Sequence, residues 1–344
     1  MADILRRQMP RRQFLRITAI AGISMALGGG LMRELLRNAG LREVTETRTR
    51  MATPVTLTVV HLDVSAARGI VSETFGEMTR LERILSRHRP DTPVSMLNRY
   101  GFVEEAPAEL IEVITTAIEY SAMTGGAFDV TVHPLVDLYA SSFAQTGIPP
   151  ADQAVEHAVS LVDYREVVVE GRGITLTQPG MSITLDGIAK GFVVDRAVAT
   201  LKSLGSERVL VDAGGDLGSL GAGSGDEGWS VAIQHPRSHM GALGLVRLSG
   251  QSVATSGDYV QYFTPDKRYH HILDPRSGKP PESTSSVTVV APTTMAADVM
   301  STAAFVLGAT DGLQLIDRSP GVEGLVVTKT QEIHRSSGLR LHPV

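Results

Sequence analysis

Asp298 and Thr302 stand four apart in the run MetAlaAlaAspValMetSerThrAlaAlaPheValLeuGly, a spacing that puts both side chains on one face of a helix. The rest of that run is almost wholly apolar. A carboxylate held against such a surface costs on the order of several kcal/mol unless a cation or hydrogen-bond donors meet it. Carboxylate and hydroxyl together form a hard oxygen pair, suited to Mg2+ or Ca2+ and poor for zinc or copper. A plainer role fits the same residues: Asp298 favouring the positive end of its own helix, and Thr302 bonded back to a carbonyl.

Residues 184–195, ThrLeuAspGlyIleAlaLysGlyPheValValAsp, read as a strand running into a glycine-punctuated turn that opens a helix. Glycines let backbone approach a ligand closely, and a helix start offers unpaired N–H groups at a positive dipole end. Lys190 inside that turn suggests an anion, most naturally a phosphate; a solvated lysine on an ordinary turn is the alternative. Residues 270–280, HisHisIleLeuAspProArgSerGlyLysPro, place an Asp-Pro and a glycine at the end of a strand, a tight turn that aims His270 or His271 at whatever it faces. Histidine is the usual proton carrier near neutral pH, although a lone one is often only packed. Two further glycine turns, residues 212–216 and 254–259, are ordinary loops when taken singly.

The elements that must position these residues alternate without a regular strand–helix repeat. Period-2 patterning predicts strands at 56–62, 166–169, 174–177, 208–211, 229–234, 243–248 and 286–291. Apolar residues at helical spacing predict helices at 67–86, 108–123, 189–204, 295–307 and 312–317, with strands after them to the end. The mixture indicates an α+β fold with largely antiparallel sheets and packed helices rather than a doubly wound parallel sheet. The Gly/Ser-rich stretch 218–228 reads as a hairpin loop, not a domain boundary.

Composition narrows the chemistry. The 344 residues are 42% hydrophobic and 20% charged, enough for a sizeable core, and the net charge of −5 gives no footprint for nucleic acid. Cysteine is absent, which removes disulfides, thiolate metal sites and cysteine nucleophiles. Residues 1–44 are expected to be an export segment and 45–344 the folded domain. Arg11 and Arg12 precede Gln13, Phe14, Leu15 and an apolar run over 17–32, the layout of a twin-arginine signal. The expectation is therefore a periplasmic protein, tethered to the inner membrane if that signal is not cleaved.

Six segments occur together and in order: ThrGlyGlyAlaPheAspValThrValHisProLeuVal, LeuAspGlyIleAlaLysGlyPheValValAspArgAla, AspAlaGlyGlyAsp, ThrSerGlyAspTyr, HisIleLeuAspProArgSerGly and AlaAspValMetSerThr. The series resembles the FAD:protein FMN transferase family, also called ApbE, over about residues 51–338. The resemblance implies an enzyme that binds FAD as substrate together with Mg2+ and moves the FMN half onto a Ser or Thr hydroxyl of an acceptor subunit of a membrane redox complex, releasing AMP. It implies Asp298, Thr302 and the Gly187 carbonyl as metal ligands. It further implies Met51, Ser86, Arg87, His88, Asp129, Lys190 and His271 as flavin-nucleotide contacts, with His271 also taking the acceptor's proton. The alternatives are an FAD pyrophosphatase yielding FMN and AMP, or a non-catalytic FAD-binding assembly factor. This chain departs from the family pattern at Ala52, where glycine is usual, at Asp212, where asparagine is usual, and at Asp186, which fits a turn cap or a further ligand.

Overall fold

The computed structural model describes residues 40–223, 228–238 and 241–344. Arg11, Arg12 and the apolar run behind them, on which the twin-arginine reading rests, lie outside the described residues. An eight-stranded sheet carries the fold, in the spatial order β1 (Arg42–Arg50), β2 (Thr53–His61), β6 (Val209–Ala213), β7 (Leu217–Leu220), β10 (Ser252–Gly257), β11 (Thr284–Ala291), β12 (Glu323–Thr328) and β13 (Ile333–Arg335). Every pairing in it is antiparallel. Three short strands, β3 (Phe102–Val103), β4 (Val167–Glu170) and β5 (Gly173–Leu176), form a second sheet, and β8 (Trp229–Gln234) with β9 (Ala242–Leu248) forms a hairpin. The α+β expectation holds.

β11 is buried along its whole length, which requires cover on both faces of the sheet. On one face Val287, Val289 and Ala291 pack with Ala297, Met300 and Phe305 of the long helix α7 (Thr294–Arg318). On the other, Val290 joins Trp229, Ile233, Val246 and Leu248 of the β8–β9 hairpin. Helices, sheet and hairpin thus make three layers. A further cluster joins α1 (Val64–Leu85), α3 (Ala108–Met123) and α6 (Ala189–Ser203) to the inward residues of β2 and β6, such as Leu57 and Val211.

Local chemistry explains the helix limits. Asp63 caps α1 by accepting from the N–H groups of Ser65 and Ala66. Thr92 and Pro93 start α2 (Pro93–Tyr100), and Gly101 at φ 79° ends it. In α7 the predicted break is present as a kink at Gly308, φ 82° and ψ −177°.

Four expectations are corrected. Residues 254–257 belong to β10, a strand whose small residues disguise it as a turn. The segment before Asp186 belongs to no strand; the Asn98 side chain brackets Ile183 instead, donating to its carbonyl at 2.8 Å and accepting from its N–H at 2.7 Å. Residues 218–228 are not a hairpin loop: 218–220 belong to β7, which pairs with β6 and β10, while β8 pairs with β9. Helices α4 (His133–Thr146) and α5 (Asp152–Val159) occupy a stretch for which the sequence carries no clear periodic signal.

Candidate functional site

The site forms where the first turns of α6 and α7 cross. Asp298 on α7 accepts from the Gly191 N–H of α6 at 3.1 Å. Asp195 on α6 accepts from Thr294 N–H at 2.7 Å and Met295 N–H at 2.9 Å of α7. Advancing along α6 from 191 to 195 retreats along α7 from 298 to 294, so the helices run antiparallel here and each caps the other. Asp298 does serve a helix N-terminus, but that of α6 rather than its own. Gly191 permits this approach: a Cβ there would lie 2.5 Å from the Thr294 carbonyl oxygen.

Lys190, in the first turn of α6 and not the preceding loop, points inward to an ion pair of 2.7 Å with Asp216 of the AspAlaGlyGlyAsp turn. Asp216 is buried, 2% exposed. Burial opposes the lysine's charge, yet Asp216 and then Asp298 outweigh it and hold the ammonium above its usual range. Asp298 is pushed well upward, first by burial and then by repulsion from Asp216, against the pull of Lys190. Two buried carboxylates thus share one ammonium, an excess of negative charge that a cation fits and an unaccompanied phosphate does not.

Gly187 brings the loop before α6 onto α7. A Cβ at that position would lie 3.2 Å from Phe128 Cε2 and 3.3 Å from Thr302 Oγ1, so only glycine lets backbone sit against this hydroxyl without displacement. Asp298, Thr302 and Gly187 are therefore gathered at one place. A carboxylate, a hydroxyl and a carbonyl suit Mg2+ by donor type. Among the described residues no group of three or more His, Asp or Glu makes a protein-only cage. Mg2+ commonly completes its shell with water and substrate phosphate oxygens, so the sparse set fits it.

His271 is aimed by Gln261. The Gln261 carbonyl accepts from the His271 backbone N–H at 3.1 Å and lies 2.9 Å from Nδ1, which fixes the proton on Nδ1 and leaves Nε2 as the acceptor. Burial lowers the imidazole below its ordinary range, the Gln261 bond opposes this, and the charges of Asp186 and Lys190 reach it. His270 points into the core, fully buried and edge-on to Phe305. Of the two histidines in the turn, His270 is thus the one enclosed by the core and His271 the one left partly exposed.

The Ser86–His88 turn meets the same loop. Arg87 donates from Nε and Nη2 to Asp186 Oδ2 at 3.0 and 2.7 Å. Asp186 is thus the partner of Arg87, and that contact overcomes desolvation to hold its carboxyl below the usual range. Arg87 also lies 3.4 Å from His133, whose Nδ1 is 2.8 Å from Ser182. Ser86 accepts from the His88 N–H at 3.2 Å, and its carbonyl accepts from Thr92 at 2.6 Å.

Asp129 is turned into the chain. One oxygen takes the N–H and hydroxyl of Thr131 at 2.8 and 2.6 Å, and the other takes Tyr164 N–H at 3.0 Å. Those bonds hold the turn that presents Phe128 to Gly187. Met51 and Ala52 form the β1–β2 turn, at φ 49° and 57°. Thr53 beside them abuts the AspAlaGlyGlyAsp turn, where a Cβ at Gly214 would come 2.4 Å from its Oγ1. Asp195, Asp216 and Ser256 carry no individual signal in the sequence, although each lies in one of the glycine-bearing motifs. What they share is only a polar side chain in an otherwise close-packed motif.

Fold and site together define a class: α+β proteins in which two mutually capped helix starts, a glycine loop and a histidine held in one tautomer are set around a buried cluster of charged and hydroxyl groups. The ApbE family pattern matches residues 51–326, and the chain belongs to the ApbE family. It is 32% identical over 300 residues to an FAD:protein FMN transferase of Klebsiella pneumoniae, covering 85% of this chain and 91% of that one. A Treponema pallidum protein of the same name is 32% identical over 292 residues, covering 78% and 80%. Among solved structures the ApbE protein of Thermotoga maritima superposes with TM-score 0.78 at 30% identity, over 86% of this chain and 97% of that one. The flavinyl transferase ApbE of Pseudomonas stutzeri superposes with TM-score 0.76 at 29% identity, over 86% and 95%.

Proposed function

We propose that this protein is an FAD:protein FMN transferase that joins the FMN phosphorus of FAD to a Ser or Thr hydroxyl of an acceptor protein and releases AMP. The observation that carries the reading is the convergence of Asp298, Thr302 and Gly187, with His271 held at Nδ1 by Gln261 and within reach of the charges of Lys190 and Asp186. Asp298, Thr302 and the Gly187 carbonyl would hold Mg2+, which when bound offsets the charge of the pyrophosphate. The chain's own part is positioning and proton transfer, the main needs of phosphoryl chemistry. His271 Nε2 accepts the proton of the attacking hydroxyl while Gln261 keeps the ring in one tautomer and orientation. The new O–P bond forms as the bond to the AMP oxygen breaks. Lys190 shares its charge between Asp216 and Asp298 and so sets the geometry of Asp298 rather than acting as a free phosphate ligand.

Purified protein given FAD, Mg2+ and an acceptor subunit is expected to leave flavin fluorescence on the acceptor band of a denaturing gel. Mass spectrometry should then find the added FMN on one Ser or Thr. Asp298→Ala is expected to abolish transfer, and full activity in that variant would remove the metal assignment. Rapid AMP release without acceptor would instead favour hydrolysis. We place the acceptor among membrane redox subunits and the enzyme in the periplasm, supported by Arg11 and Arg12 ahead of an apolar run. Replacing both by lysine should then retain the protein in the cytoplasmic fraction.

A further inference from the structure

We propose that Ser256 is a positioning residue that pins the single proton of Thr302 and so turns that hydroxyl's lone pairs toward the cation site. The inference rests on the reading above in taking Thr302 as a cation ligand. It follows from counting hydrogens, since each hydroxyl has one to give. Ser301 Oγ lies 2.9 Å from the Asp298 main-chain oxygen, which can only accept, so the Ser301 hydrogen is committed there. Ser256 Oγ lies 2.8 Å from Ser301 Oγ, and Ser301 has no hydrogen left, so Ser256 donates. Ser256 Oγ also lies 3.1 Å from Thr302 Oγ1; its own hydrogen is spent, so Thr302 must donate to it. The chain of three hydroxyls has one direction, and it ends with the Thr302 lone pairs free.

The fold supplies the members of this chain from two elements. Residues 252, 254 and 256 of β10 alternate onto the α7 side of the sheet. Ser252 Oγ meets Thr294 Oγ1 at 2.9 Å, Ala254 lies in the core beneath the helix, and Ser256 meets Ser301 and Thr302. Small residues let the helix approach, and the two serines place hydroxyls at either end of the contact. Ser301 is fully buried, so water does not readily replace its partners. Without Ser256, the Thr302 hydrogen is free to rotate toward the carbonyl four residues back, the usual alternative for a helical threonine, and the ligand is no longer preset. Residues behind a metal ligand typically change affinity by about 10- to 100-fold.

The test uses the full chain with FAD and Mn2+ as probe, reading free Mn2+ by its paramagnetic resonance signal, so no transfer assay is needed. Ser256→Ala is expected to bind Mn2+ about tenfold more weakly, with metal-free FAD affinity and metal-free melting temperature unchanged, and Ser256→Thr should restore the affinity. Should Ser256→Ala fail to fold, Ser301→Ala provides the second variant: it releases the Ser256 hydrogen to point at Thr302 and should weaken Mn2+ in the same direction. Wild-type Mn2+ affinity in the Ser256→Ala protein would overturn the proposal, as would an equal loss of metal-free FAD binding. A wild-type protein that binds no Mn2+ with FAD present would sink the cation reading itself, a result distinct from equal binding by wild type and variant.

Discussion

Met51 and Ala52 turn the β1–β2 hairpin with both residues at positive φ, the two-residue geometry that usually recruits Asn-Gly. A side chain in that region costs roughly 1–2 kcal/mol, and such strain persists where neighbouring structure fixes the turn; here Thr53 packs into the Gly214 turn. Ala52→Gly should therefore stabilise the protein by about 1 kcal/mol, once the extra freedom of glycine in the unfolded chain is deducted. Urea denaturation would show this as a higher midpoint at unchanged slope. His271 supplies the second prediction at this scale. Because burial lowers its pKa and only the neutral ring accepts a proton, activity should persist as pH drops below the ordinary histidine value near 6.5, then fall as the depressed pKa is crossed. The acid limb of a kcat/KM–pH profile tests the direction. His271→Ala should lower kcat by roughly 10²- to 10⁴-fold while FAD dissociation, followed by flavin fluorescence, stays near wild type.

The α6–α7 crossing is the element on which the site depends, since Asp195 and Asp298 each cap the other's helix. Gly191→Ala isolates that dependence. Alanine favours a helix over glycine by about 1 kcal/mol, but the new methyl would meet Thr294 O at 2.5 Å and Met295 Cα at 2.6 Å, main-chain atoms that cannot swing aside. The clash should win. A net destabilisation of about 1–3 kcal/mol is expected, with weakened cation binding in calorimetry because the helices must part where Asp298 is held. A variant as stable and as cation-competent as wild type would show that the close approach is not required. The long helices were legible at this scale because their apolar spacing repeats: α3 spans the predicted 108–123, and the two pieces predicted within α7 correspond to its halves on either side of the Gly308 kink. β10 was not, because Ser-Val-Ala-Thr-Ser-Gly reads as a turn until a helix lying across it requires small side chains.

Across the whole molecule, the three layers enclose His270 beside Phe305, with Nδ1 unpartnered and Nε2 3.4 Å from the Pro281 carbonyl. Burial first, then the charges of His271 and Lys329, bring it down to about 4. The unfolded chain protonates this residue near pH 6.5 and the folded chain only near 4, so between those values the unfolded state binds the extra proton. Stability should accordingly decline as pH falls through that window and level off below it, by up to roughly 3 kcal/mol from this group. The difference in melting temperature between wild type and His270→Gln, followed from pH 7 to pH 4, should shift in favour of the variant. Taken alone, the sequence determined the α+β class and the family, because apolar periodicity and short ordered motifs are local properties of the chain. Only the tertiary structure decided which histidine is buried in the core, that Lys190 is engaged by Asp216, that Asp186 belongs to Arg87, and that Asp298 caps a helix 107 residues away. Those pairings depend on which segments are brought within bonding distance and on how much water is removed from around them, and neither is written in the spacing of residues along the chain.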